Sequence, residues 1–117
     1  MSERTVAEKT QDYIEKHLEE DLSLDKIAEA LNYSKFYMVR VFSEKTGTSI
    51  YKYIQKCRLE RAAKKLTETD VPIAQIAYEA HYNSQQAFTH AFRQLYFCTP
   101  QAYRRNNISM CGGRMTA

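Results

Sequence analysis

Gln85, Gln86, Thr89, His90 and Arg93 fall within nine residues, at a spacing that one helix would bring to a single side. Every one of these side chains ends in hydrogen-bonding groups, and no carboxylate interrupts the set. Glutamine amides can pair bidentately with an adenine edge, and an acid-free surface can approach phosphates without repulsion. An offset of 50 residues carries Gln85, Gln86, Thr89 and His90 onto Lys35, Phe36, Val39 and Arg40. There Arg40 can bond a guanine edge, while Phe36 or Val39 can touch a thymine methyl.

Both sets need helices to present them. Asp70 is expected to cap a helix with Pro72 in its first turn, after which Ile73, Ile76, Ala77 and Ala80 share one face. His81-Tyr82-Asn83 breaks that pattern, and Ser84 caps a second helix whose Phe88, Ala91, Phe92 and Leu95 turn inward, opposite the polar set. A short helix, a turn and a longer helix with a polar outer face make a helix-turn-helix. Upstream, Ser23 caps a helix with Leu24, Ile27, Ala28 and Leu31 on one face, and Asn32-Tyr33 turns the chain. Ser34 caps the next helix, with Met38, Val41 and Phe42 inward and Gly47 as its stop.

These two segments are copies of one unit. Ile27-Ala28 matches Ile76-Ala77 and Asn32-Tyr33 matches His81-Tyr82 at an offset of 49, whereas Ser34, Met38 and Phe42 match Ser84, Phe88 and Phe92 at 50. Asn83 is the extra turn residue. Before the first copy, Val6, Tyr13, Ile14 and Leu18 share a face of a helix that ends in the acidic run Glu19-Glu20-Asp21. Between the copies, residues 49–68 place Ile50, Ile54, Cys57, Leu59, Ala62, Ala63 and Leu66 on one side of a long helix. At 1.5 Å per residue such a connector spans roughly 27–30 Å, against about 34 Å between major-groove faces along one side of B-DNA.

The 117 residues suffice for one compact domain or two very small ones sharing a helix. Three glycines and two prolines favour helices with short connections. The net charge of +3 conceals an asymmetry: residues 1–31 carry four Lys/Arg against nine Asp/Glu, a net −5, and residues 32–117 carry thirteen against five, a net +8. No apolar run reaches the roughly 20 residues of a membrane span, and the opening residues lack the apolar stretch of a signal peptide. Cys57, Cys98 and Cys111 are odd in number and widely spaced, the usage of a reduced, cytoplasmic protein. With no CxxC, HExxH or Gly-rich phosphate loop near the cysteines or near His17, His81 and His90, no metal, cofactor or catalytic centre is expected.

The stretch from Ile73 to Arg104, with Ile73-Ala74-Gln75-Ile76-Ala77, Tyr82, Ser84, Phe88, Phe92-Arg93, Thr99-Pro100 and Tyr103-Arg104, resembles the signature of the AraC/XylS family of bacterial transcription regulators. Arg58-Leu59 with Ala62 and Leu66 resembles that family's connecting helix, so the likeness covers about residues 5–106. Residues 33–42 and 83–93 are similar to the short MarA/SoxS/Rob-like branch. The resemblance implies an all-α fold of seven helices, divided into a helix-turn-helix subdomain at 1–48, a connecting helix at 49–68 and a second subdomain at 69–107; the tail at 108–117, with a Gly pair and no periodicity, is expected to be disordered or to begin a linker. It implies promoter double-stranded DNA as ligand, action as a monomer on asymmetric sites, contact with RNA polymerase, and activation. Base readout then falls to Lys35, Phe36, Val39 and Arg40 in the first half and to Gln85, Gln86, Thr89 and His90 in the second. Ser34, Ser84 and Arg93 are assigned to phosphates. Val39 stands where the branch often has Gln, His90 where it often has Arg, and Asn32 and His81 where Gly is common, so the sequence read should differ. The rival class is a helical module that turns the same faces to a protein without binding DNA.

Overall fold

The computed structural model describes residues 5–111, with side chains through residue 106. Among them are seven helices and no strand: α1 Val6–Lys16, α2 Leu24–Leu31, α3 Lys35–Thr46, α4 Ile50–Glu68, α5 Ile73–Glu79, α6 Gln85–Tyr96 and α7 Pro100–Cys111. The chain divides into two compact units, one ending at Cys57 and one starting at Arg58, so the boundary falls inside α4.

In the first unit α1 packs against α2 and α3, and α2 against α3. Its core joins Ala7, Ile14 and Leu18 to Ile27, Ala28, Met38 and Phe42, and the first half of α4 adds Ile50, Ile54 and Cys57. Thr5 and Glu8 form a reciprocal capping box at the start of α1, each side chain bonding the other's backbone N–H. That helix stops at Lys16, short of the predicted Leu18, because His17 folds back to cap it: its Nδ1 lies 2.7 Å from the Tyr13 carbonyl and its ring stacks on Tyr13. Leu18 is buried all the same. The Tyr53 hydroxyl donates to Glu15, and burial, reinforced by that bond, pushes its pKa well above the usual phenol range.

In the second unit α6 packs between α5 and α7. The later half of α4 contributes Leu59, Ala62, Ala63 and Leu66 to a core completed by Ile76, Ala77, Ala80, Phe88 and Phe92. Phe92 is its centre: its ring stacks on Tyr96 at 4.5 Å between centroids and meets Tyr103 edge-on at 5.4 Å and Phe88 at 5.7 Å. Thr99 opens α7, its Oγ1 accepting from the Ala102 N–H, and Pro100 is fully buried.

The start of α5 differs from expectation. Pro72 is itself the cap residue, its carbonyl accepting from the Gln75 and Ile76 N–H groups, and no side chain caps the helix; Asp70 is exposed. The preceding loop is held from elsewhere. Thr69 Oγ1 accepts from the Val71 N–H, and Arg104 of α7 donates to the carbonyls of Leu66, Thr69 and Val71. Lys65 and Glu79 add an ion pair at 2.6 Å, with Gln75 donating to the same carboxylate; these bonds hold the Glu79 pKa below its usual value. The tail expected from residue 108 is helical through Cys111, and its remainder, 112–117, lies outside the described residues.

Candidate nucleic-acid interface

The duplication seen in the sequence is repeated in the backbone. Asn32 and His81 both adopt the left-handed conformation, at φ 65° and 69°. The following N–H groups, of Tyr33 and Tyr82, reach back to the carbonyls of Ala28 and Ala77 at 2.9 and 3.1 Å, closing α2 and α5 by the same six-residue bond. Each turn delivers the chain to a capping serine: Ser34 Oγ accepts from the Tyr37 N–H at 3.4 Å, and Ser84 Oγ from the Ala87 N–H at 3.0 Å. Both serines are exposed, so their hydroxyl hydrogens remain available to a ligand.

On α6, the phenylalanines at i and i+4 are drawn inward and leave the polar set outside. Phe88 and Phe92 are fully buried, whereas Gln85, Gln86, His90 and Arg93 are exposed and Thr89 is half-buried. These five line one open hollow along α6, together with Gln94 and Phe97, which the sequence reading did not include. Gln94 was accessible to it, standing one turn beyond His90, with the two side chains 3.3 Å apart. Among the described residues, no Asp or Glu lines the hollow.

The equivalent surface of α3 is less uniform. Phe36 is 80% exposed, an unusual position for a large apolar ring, and Lys35 Nζ lies 5.6 Å from its centroid. Lys35 also pairs with Asp25 at 3.1 Å, and Arg40 rests over the Tyr37 ring with its guanidinium 3.8 Å from Glu44. All four charged groups are substantially exposed, so neither ion pair binds its cation strongly. Val39 is half-buried, like its counterpart Thr89, and packs against the first core, because the helical face carrying Met38 and Phe42 is wide enough to include it. In α3, therefore, Lys35, Phe36 and Arg40 are outward, and Val39 lies at the margin.

A family model described as a helix-turn-helix domain matches residues 27–106. The transcriptional regulator Rob of Salmonella typhimurium is 41% identical over 95 residues, covering 81% of this chain and 33% of that protein. The multiple antibiotic resistance protein MarA of Escherichia coli is 37% identical over 97 residues, covering 83% of this chain and 76% of MarA. The chain thus spans about a third of the length of Rob and about three quarters of MarA. Among solved structures, an AraC-type DNA-binding domain protein from Chromobacterium violaceum superposes with a TM-score of 0.82 at 30% identity, covering 86% of this chain and 90% of that one. The C-terminal domain of AraT, a response regulator from Geobacillus stearothermophilus, gives 0.78 at 33% identity over 97% and 89%. With seven helices among the described residues, a duplicated capped turn and these likenesses, the chain belongs to the AraC/XylS family of helix-turn-helix transcription regulators, in its MarA/SoxS/Rob-like branch, a family of DNA-binding regulators rather than enzymes.

Proposed function

We propose that this protein regulates transcription by inserting α3 and α6 into successive major grooves of an asymmetric promoter site, as a monomer, in the bacterial cytoplasm. The observation that carries the reading is the outer face of α6: glutamine, threonine, histidine and arginine side chains in one hollow without a carboxylate, along a serine-capped helix. Such a face matches the donor and acceptor pattern of base edges and is compatible with flanking phosphates. In this reading Gln85, Gln86, Thr89 and His90 read one half-site. Lys35, Phe36 and Arg40 read the other, with Val39 limited to a methyl contact at the edge. Ser34, Ser84 and Arg93 bind phosphates and set the register.

The 19 residues of α4 correspond to roughly 28 Å of helix, a length commensurate with the ~34 Å groove repeat. Activation through contact with RNA polymerase belongs to the same proposal and rests on family membership. Selection of bound duplexes from a random pool, followed by footprinting, tests it: two protected grooves about one turn apart on one face are expected. Binding should also weaken steeply as salt rises, because each phosphate neutralised by a Lys or Arg releases its counterions. Protection of a single groove, or salt-insensitive binding, would overturn the reading in favour of a protein-docking module.

A further inference from the structure

The last residue in the α6 hollow is out of keeping with its backbone. Phe97 caps α6 at φ 64°, a left-handed conformation in which a bulky side chain is strained. The duplication shows what the position asks for: at an offset of 50, Gly47 caps α3 at φ 78°. Packing does not compensate, since Phe97 is 88% exposed, the most exposed large apolar residue among those described. Neither the backbone nor the core therefore favours phenylalanine here. What remains is an external contact, and the ring's neighbours in the hollow, His90, Arg93 and Gln94, are cationic or polar groups suited to an anionic partner.

We propose that Phe97 is a DNA-contacting residue whose ring lies against a deoxyribose of the strand flanking the second half-site; this rests on the DNA-binding reading above. The reach follows from the helix. Phe97 stands twelve residues beyond Gln85, about 18 Å along the axis, whereas the major groove is about 12 Å wide. A helix whose N-terminal residues meet base edges thus carries its C-terminal cap out over the sugar–phosphate backbone. There a flat apolar ring gains area from the sugar while Arg93 serves the phosphate. The contact is blind to sequence and lengthens the footprint.

Phe97→Gly and Phe97→Asn, both at ease with positive φ, separate binding from folding. The proposal expects each variant to melt at the parent's temperature or a few degrees above it. At the same time each should bind a selected duplex with long flanks about 3- to 10-fold more weakly, as loss of one apolar contact implies. The loss should be equal on random duplex and should vanish on a duplex trimmed to the edge of the second half-site. Unchanged affinity on the long duplex would overturn the proposal, including the case in which transcription falls, which would turn the ring toward a protein. A loss confined to the specific site would also overturn it, since that would mean base readout. Failure of the parent to bind any duplex would refute the DNA reading itself, a result distinct from parent binding that is indifferent to Phe97.

Discussion

Arg104 reaches back 38 residues to donate from Nε to the Leu66 carbonyl at 2.9 Å. Its Nη2 takes the carbonyls of Thr69 and Val71 at 3.1 and 2.7 Å, so one guanidinium ties the end of α4 and the loop before α5 to α7. These are charge-assisted bonds to backbone acceptors, and a cut side chain would leave part-buried carbonyls without a donor. Arg104→Ala should cost about 2–4 kcal/mol in urea denaturation. Arg104→Lys should recover less than half of that, because an ammonium cannot span the three acceptors in the plane of a fork. A parental midpoint for the alanine variant would show that the loop holds itself.

Removal of Phe92 tests the centre of the second core. The ring is fully buried among Phe88, Tyr96 and Tyr103, and Phe92→Ala should destabilise the second unit by about 3–5 kcal/mol. Thermal melting with a probe in each unit would read it, and an unshifted transition would contradict the packing described.

Arg40 and Glu44 allow a test with opposite signs. Arg40→Ala should lose about 1–3 kcal/mol of binding at one base position. Glu44→Gln frees Arg40 from its loose 3.8 Å partner and removes a carboxylate from a surface that would face phosphates in the proposed complex. Affinity for every duplex should then rise about 2- to 5-fold at low salt, with the gain fading near 0.5 M as charges are screened. Titration of both variants over salt distinguishes a base contact from a general attraction.

Gln86→Ala should relax discrimination at one position of the second half-site while leaving affinity for random duplex nearly unchanged. Competition between the selected site and its single-base variants measures this. An equal loss on both would reassign Gln86 to the backbone.

The Lys65–Glu79 pair predicts an acid limb. Hydrogen bonds from Lys65 and then Gln75 hold the Glu79 pKa below its unfolded value of about 4.3, so its contribution is complete above that pH and is lost as pH falls through the folded value. Glu79→Gln should therefore melt slightly below the parent at pH 7, and the gap should close below about pH 4. The effect is small because both side chains are about a third exposed. A gap independent of pH would mean that shape rather than charge matters there.

Legibility in the sequence followed the locality of each cause. Ser23, Ser34 and Ser84 cap as read, and Asn32 and Gly47 take the left-handed turns, because each depends on a few residues of its own segment. Asp70 does not cap α5 as its type suggests, because the loop before that helix is governed by Arg104, more than thirty residues away in the chain. That Val39 packs partly against the core was not legible from the repeat offset, which records ancestry and not the width of an apolar face. The α6 face was legible from periodicity, while Phe97 escaped notice: an apolar residue after an apolar pair reads as core until its φ and exposure are known.

The division of α4 between two interiors limits how the molecule can be trimmed. Ile50, Ile54 and Cys57 fill one, and Leu59, Ala62, Ala63 and Leu66 the other, so a clean break at residue 48 or at residue 69 would strip three or four wall-forming side chains from whichever fragment lost the helix. A single unit made for the bench needs at least its own half of α4, to Cys57 or from Arg58, and one that keeps the whole helix also carries the other unit's apolar positions. Its unused edge will then be greasy, and sticky unless those abandoned positions are recoded to lysine or glutamate.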